Sequence, residues 1–295
     1  MRIAVTGATG LVGSELVPEL STAGHDVIRL VRRGPGEGEG HWNPASGIEP
    51  SALEGVEAVI HLAGENIAEG RWTSDKKARI RDSRVEGTAA VARSIVGMEN
   101  APSALICASA IGHYGDRADE ELVEDSGPGE GFLPEVCQAW EAAADPAREA
   151  GIRVVHLRFG VVLSPKGGAL AKMMTPFKMA VGGRIGSGDQ YMSWLSIEDA
   201  SGMILHGLNT SELSGPVNAV APEPVTNAEF TKALGRAVHR PTIFPMPGFA
   251  AKLAFGEMAE ALVLASTRVL PKRLEETGYT FRHRTIDQAL GDMIR

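Results

Sequence analysis

Cysteine is almost missing from this sequence. Cys107 and Cys137 are the only two, too few for a disulfide framework or a zinc ligand set, and a reducing cytoplasm is the expected setting. Long apolar runs are missing as well. No stretch approaches the ~20 residues a membrane-crossing helix needs, which points away from a membrane partner. The N-terminal MRIAVTGATG turns to glycine too early for a secretory signal. A positive excess is also lacking. The formal charge is −8, and an acidic surface suits nucleic-acid backbones poorly. What is there in quantity is apolar residues, 43% of the 295. That is enough for one large packed domain or two smaller ones.

Strand and helix patterns alternate through the first half. Arg2–Thr6, Asp26–Val31, Ala58–Leu62, Ala104–Ala108 and Arg153–Arg158 are short, apolar and β-branched, as buried strands are. Leu11–Ala23, Thr73–Val96 and Phe132–Ala150 have helical length and composition, with Thr73 or Ser74 as an N-cap. Gly34–Gly40, rich in glycine and acid, is expected to be a loop. Strands separated by helices imply an α/β protein: a Rossmann-type, doubly wound parallel sheet covered on both faces. After Gly160 glycines multiply, Ile197–Leu208 reads as helix and Gly215–Val220 as a short strand. The last seventy or so residues read as mostly helical. The expected division is a nucleotide-binding domain over 1–165 with return segments near 193–222. A smaller, mostly helical lobe on the substrate side then takes 166–192 and 223–295.

The segment TGATGLVG, Thr6 to Gly13, sits between the first strand and the first helix. A sharp exit from the strand needs a residue without Cβ, supplied by Gly7. Thr9, Gly10, Leu11 and Val12 then place backbone N–H groups at a helix start, where they and the helix dipole favour an anion. Gly13 lets the helix approach the sheet. This context predicts a dinucleotide pyrophosphate site. About 20 residues on, an NAD site usually places an Asp or Glu on the ribose. This chain has Arg32 and Arg33 there. A carboxylate would repel a 2′-phosphate, whereas a guanidinium binds it through paired charged hydrogen bonds. The expected cofactor is NADP(H).

Further segments extend the pattern: HLAGENI from His61, RWTSDKKARIRDSR from Arg71, SAIGHYG from Ser109 and CQAWEAAA from Cys137. RFGVVLSPKGGAL from Arg158, GGRIGSGDQYMSW from Gly182 and PKRLEETGYTFRH from Pro271 complete it. Together with the glycine turn they resemble the extended short-chain dehydrogenase/reductase superfamily. The finer resemblance is to its atypical branch, labelled an epimerase family or nucleoside-diphosphate-sugar epimerase-like family. The resemblance spans nearly the whole chain. It implies that Leu62, Ala63 and Gly64 lie along the adenosine and ribose side of the cofactor, that Arg84 is near the cofactor, and that Val161 is near the nicotinamide. It also implies that Ser109 is the active-site serine.

One part of the superfamily pattern is missing. Its usual chemistry uses Tyr-x-x-x-Lys on the helix after the fourth strand, where the lysine cation lowers the tyrosine pKa. This chain has Cys137 and Glu141 at that spacing. A neighbouring carboxylate disfavours a thiolate, so Cys137 reads as structural. Trp140 and Glu141 either face the cleft or pack and solvate the helix. Ser109 suits hydrogen bonding to a carbonyl or alcohol oxygen, or capping of the strand end. Tyr114 offers a phenol at the right end of the sheet, or packs beside Gly115. His113 titrates near neutrality if unperturbed. Arg184, Gln190, Ser193 and Trp194 are candidates for a loop facing a small polar or anionic substrate.

Two functions fit. One is an NADP(H)-dependent oxidoreductase or epimerase-like enzyme, acting on a small polar or nucleotide-linked carbonyl or alcohol. The other is an NADP(H)-binding sensor with little catalysis, motivated by the missing Tyr/Lys pair.

Overall fold

A computed structural model describes residues 1–294. Eight strands form one sheet. They are β1 (Arg2–Thr6), β2 (Asp26–Val31), β3 (Glu39–Asn43), β4 (Gly47–Ile48), β5 (Ala58–His61), β6 (Ala104–Ala110), β7 (Arg153–Phe159) and β8 (Gly215–Ala219). Their spatial order is β8-β7-β6-β5-β1-β2-β3-β4. Every pairing is parallel except β3 with β4. The order reverses at β1, whose neighbours β2 and β5 lie on opposite sides. The crevice outside such a switch point is where doubly wound sheets bind ligands.

Alternation along the buried strands sorts side chains into two layers. On one face Ile3, Val5, Ile60, Ile106, Val155 and Leu157 meet α1 (Leu11–Thr22) and α6 (Ile197–Asn209) through Leu16, Leu20, Met203 and Ile204. On the other, Ala4, Val59, Leu105 and Cys107 meet α2 (Ser74–Val96) through Val91, Ala92 and Ile95. Thr73 caps α2, its hydroxyl accepting the Lys76 N–H.

Two expectations are corrected. The segment Gly34–Gly40 is not loop throughout, because Glu39 and Gly40 open β3, which pairs with β2. A Cβ at Gly40 would lie 2.4 Å from that of Ala52, so only glycine lets the strand run there. The span Phe132–Ala150 is not one helix but α3 (Phe132–Ala142) and α4 (Asp145–Glu149). Pro146 stands in the first turn of α4, where its missing N–H costs nothing, whereas inside a continuous helix it would break a hydrogen bond.

The later segments add α5 (Gly168–Lys178), α7 (Asn227–Ala237), α8 (Gly248–Phe255), α9 (Lys272–Glu276) and α10 (Ile286–Met293). Of these, α5, α7 and α10 share a separate apolar cluster that includes Leu163, Leu170, Phe177, Trp194, Phe230, Leu234, Ile286 and Leu290, whereas Leu274 of α9 joins the core of the main sheet. This part also carries short strands, Val161–Ser164 beside Trp194–Ser196 and Tyr191–Met192 beside Val225–Thr226.

Asp199, buried in the first turn of α6, fastens the C-terminal segment to the sheet domain. Its Oδ1 accepts from the Tyr279 hydroxyl (2.9 Å) and the Arg282 N–H (2.8 Å). Its Oδ2 accepts from the Ser196 hydroxyl (2.9 Å) and the His283 N–H (3.0 Å). Among the described residues, no helix is long and apolar enough to cross a membrane.

Candidate functional site

The turn after β1 is built by close backbone contacts. Gly7 has φ +70°, and a Cβ there would come within 2.8 Å of the Leu62 carbonyl carbon and the Ala63 nitrogen. A Cβ at Gly13 would fall 2.2 Å from the Gly7 carbonyl oxygen. Any side chain at either position would push α1 away from the turn or the turn away from β5. Thr9 and Gly10 are exposed at the start of α1, with their surroundings open to a ligand approaching the helix N-terminus. Leu11 and Val12 are half-buried. Leu11 also meets the loop that follows the strand begun by Val161, where a Cβ at Gly167 or Gly168 would stand 3.1 Å from its methyl groups.

The turn after β5 is tied to the glycine turn. Thr6 Oγ1 accepts from the N–H groups of Leu62 (3.2 Å) and Ala63 (3.3 Å) and lies 2.7 Å from His61 Nδ1. Burial pushes the His61 imidazole down to about 4, so the ring is neutral. Gly64 faces Arg84, whose guanidinium carbon would be 3.5 Å from a Cβ there. Arg84 stacks 5.0 Å from the Trp140 ring and donates to the carbonyls of Glu65 and Ile80, both at 3.1 Å. Leu62, Ala63, Gly64 and Arg84 thus form one wall beside the glycine turn.

On the other side, Thr6 is in register with Leu30, so Arg32 and Arg33 emerge just past the turn. The two differ. Arg33 is committed, donating to Glu39 at 2.8 Å and to the Gly34 carbonyl at 2.9 Å. Arg32 is exposed, and no hydrogen bond or ion pair within the described chain engages it.

At the C-terminal end of β6 the structure assembles a buried polar cluster. The Ser109 hydroxyl donates to Glu141 Oε1 at 2.7 Å. Arg158, at the end of β7, grips the same carboxylate with two bonds of 2.8 Å, from Nε to Oε1 and from Nη2 to Oε2. Arg158 Nη1 also donates to the Tyr114 hydroxyl at 2.9 Å. That hydroxyl donates toward Asn218 Oδ1 at 2.7 Å, with the Val123 carbonyl 3.1 Å away. Burial pushes the Glu141 carboxyl upward, but the bonds and charge of Arg158, with Ser109, outweigh it and hold it below the usual carboxylate range. Glu141 is therefore ionised at neutral pH.

The sequence candidates divide at this cluster. Ser109 is in it. Tyr114 is also in it but fully buried, with its hydroxyl closed off by three partners and burial pushing its pKa up. His113 packs edge-on against Tyr114, and burial, with Arg158 beside it, pushes its pKa down to about 4. Neutral-range titration is thus lost to it. Cys137 is buried with its thiol directed at the Ala110 carbonyl (3.7 Å), and burial and then Glu141 push it up to about 12. Of the glycine-loop candidates, Gln190 donates to the Ile185 and Val263 carbonyls, Ser193 bonds Thr267 and Val269, and Trp194 is fully buried. Arg184 alone of these four is exposed. Arg158 and Asn218 were not among the sequence candidates. Both are polar residues inside runs that otherwise read as core strands, and that was the available signal.

A parallel sheet with a glycine-built turn at its switch point and a helix N-terminus behind it defines a dinucleotide-binding protein of the Rossmann class. Comparison with known proteins narrows the class. Residues 3–219 match the NAD dependent epimerase/dehydratase family, and residues 246–293 match a domain of unknown function, DUF1731. The chain belongs to the NAD dependent epimerase/dehydratase family. It is 46% identical to an epimerase family protein of Mycobacterium bovis, over 98% of this chain and 96% of that protein. The crystal structure of human epimerase family protein SDR39U1 (isoform 2) with NADPH superposes with a TM-score of 0.91 at 34% identity, covering 100% of this chain and 99% of that one. A nucleoside-diphosphate sugar epimerase from Corynebacterium glutamicum gives 0.83 at 39% identity, covering 100% of this chain and 58% of that one.

Proposed function

We propose that this protein is an NADP(H)-dependent oxidoreductase or epimerase-like enzyme whose substrate is a small polar or nucleotide-linked alcohol or carbonyl compound. The cofactor assignment rests on Arg32, an unpartnered guanidinium at the end of β2 beside a turn that only glycine can form. The human relative solved with NADPH supports it. The phosphates would lie at Gly7, Thr9, Gly10, Leu11, Val12 and the α1 N-terminus, with Arg32 taking the 2′-phosphate and Arg33 bracing that corner through Glu39. Leu62, Ala63, Gly64 and Arg84 would flank the adenosine and ribose side. Val161 would stand near the nicotinamide, which supplies hydride transfer when bound.

The observation that carries the chemistry is the 2.7 Å bond from Ser109 to Glu141. A carboxylate can only accept, so the single Ser109 proton is committed to it. Toward a substrate, Ser109 then presents lone pairs. It accepts from a substrate hydroxyl and so orients an alcohol for loss of hydride. The alcohol proton passes to Ser109 as the serine proton passes to Glu141. Arg158 fixes the carboxylate in place, and Tyr114 fixes Arg158. In this scheme Tyr114 is a positioning residue, and His113, neutral and packed on it, shapes the same wall.

A sensor with little catalysis is favoured by one observation: at the superfamily's tyrosine position stands a thiol pushed up to about 12. The two readings separate in one experiment. NADP+ is offered with a panel of alcohols and sugar nucleotides while NADPH absorbance is followed, in the unmodified protein, Ser109→Ala and Glu141→Gln. The enzyme reading expects turnover that falls about 100-fold or more in both variants with cofactor affinity kept. No turnover on any substrate despite tight NADPH binding refutes it. Equal affinity for NADPH and NADH, unaltered by Arg32→Ala, refutes the cofactor assignment.

A further inference from the structure

Away from the glycine turn and the Ser109 cluster, the lobe built on α7 carries a second recess. One cleft of about 330 Å³ is lined by Arg184, Thr231, Lys232 and Thr242, with Ile243 and Pro245 as apolar wall. It shares Lys232 and Thr242 with an adjoining open cleft of about 640 Å³, to which Arg236, His239 and Arg240 also contribute. Among the described residues no carboxylate lines either cleft, although the chain as a whole carries a net charge of −8.

Several of these groups have no task inside the fold. Arg236 pairs with Asp287 (2.6 Å), and Arg240 donates to the Lys178 carbonyl (3.1 Å) and the His239 carbonyl (3.0 Å). The side chains of Arg184 and Lys232 are engaged by no hydrogen bond or ion pair. Thr231 is 3% exposed, yet its hydroxyl has no partner in the chain. The hydroxyl oxygen is not among the buried polar atoms that lack a partner, so it is open to solvent. It lines the cleft. Lys232 and Arg236 near the end of α7 would offset the helix dipole in any case. That does not account for Arg184, which comes from a different segment, or for Thr231.

We propose that this recess binds a small phosphate-bearing anion. Arg184 and Lys232 hold the phosphate, Thr231 and Thr242 offer hydroxyl donors to it, and Ile243 and Pro245 cover the organic part. The adjoining cleft, with His239 and Arg240 at its rim, gives room for a second anionic group. None of the residues assigned to NADP(H) lines either cleft.

The test uses the full chain saturated with NADPH, so that the cofactor occupies the glycine turn, titrated with inorganic pyrophosphate in a calorimeter. A repeat without NADPH keeps failure of the cofactor assignment distinguishable. The expected result is saturable one-to-one binding that weakens with salt. Arg184→Gln, Lys232→Gln and Thr231→Val should each weaken it, the two cation changes by about tenfold or more, while NADPH affinity and melting temperature stay unchanged. Absence of saturable binding, or the same affinity in the Arg184→Gln/Lys232→Gln double variant, overturns the proposal.

Discussion

Replacing Arg158 by leucine tests the physical account of the buried cluster. The substitution removes two charged hydrogen bonds of 2.8 Å to Glu141 and one of 2.9 Å to Tyr114. The Glu141 side chain is only 14% exposed, so its charge would be left in a poorly solvated place with Ser109 as its one remaining donor. Breaking such a pair from one side costs about 3–5 kcal/mol, because the partner's desolvation is no longer offset. For a chain of this size that corresponds to a melting temperature lower by about 5–8 °C. Replacing both members, Arg158→Leu with Glu141→Leu, should restore most of the loss, because a matched apolar pair leaves no orphan charge.

The pH dependence supplies a signed check. In the unmodified protein the Glu141 carboxyl is held below its ordinary value. The stability it contributes is therefore present above the ordinary carboxylate range, and is lost as pH falls through the depressed folded value. In Arg158→Leu, burial is no longer outweighed and the folded value rises above the ordinary one. Protonation then favours the folded form, so the deficit should narrow from about pH 7 toward about pH 5. Denaturant unfolding at several pH values measures both effects. An Arg158→Leu variant within about 1 kcal/mol of the parent at neutral pH, or a double variant as unstable as the sum of the singles, would refute the reasoning.

Gly13→Ala places a Cβ 2.2 Å from the Gly7 carbonyl oxygen. It should destabilise the fold by about 1–3 kcal/mol and abolish measurable NADPH binding in a fluorescence titration, whereas retained affinity would show that the turn is not the phosphate site. Asp199→Ala strips the acceptor from four donors at once. It should cost about 3 kcal/mol or more and expose residues 271–285 to limited proteolysis before the sheet domain unfolds; an unchanged cleavage pattern contradicts the fastening role. The proton path from Ser109 to Glu141 is lined by groups shifted away from neutrality: Glu141 lies below its usual range, His113 is pushed down to about 4, Cys137 up to about 12 and Tyr114 upward. The Glu124 carboxyl, which burial raises, bonds Asn218 and Arg273 and neither Ser109 nor Glu141. Turnover should accordingly be flat across the neutral range, and a bell-shaped profile centred near neutrality would place a different acid or base in the site.

How much could be read from the residues alone follows from how local each feature is. Buried along most of their length, β1, β5 and β6 read as short apolar runs, while β2 and β7 read as apolar runs interrupted by Arg29 and by His156 and Arg158. The glycine turn is set by contacts among residues close in sequence or at adjacent strand ends. Strands β3 and β4 were not visible, because EGHWN and the short GI carry no such run. Their structure comes from pairing with β2 and from the burial of Trp42 and Ile48. The distinction between Arg32 and Arg33 was equally closed to the sequence, since it depends on Glu39 folding back to hold one of them. The Asp145-Pro146 start of α4, by contrast, was written plainly, and the helical composition around it overrode the signal.

The Ser109 cluster shows the harder case. Its central trio comes from three elements, with Glu141 separated from Ser109 by 32 positions and from Arg158 by 17. From the sequence, Glu141 at the lysine position of Tyr-x-x-x-Lys registers as the loss of a cation. In the structure a cation is still present at this end of the sheet. It stands on β7, and the helix carries the matching carboxylate. The electrostatic role differs with that arrangement. A lysine beside a phenol favours its ionised form, so that the phenol can exchange a proton with a substrate oxygen. A carboxylate gripped by arginine instead accepts the serine hydrogen bond and leaves the serine oxygen with only lone pairs to offer. Arg158 interrupts a largely apolar strand, and a charge placed there must be paired to be tolerated. Read with that rule, the arginine in HLRF and the glutamate in CQAWE are two halves of one feature.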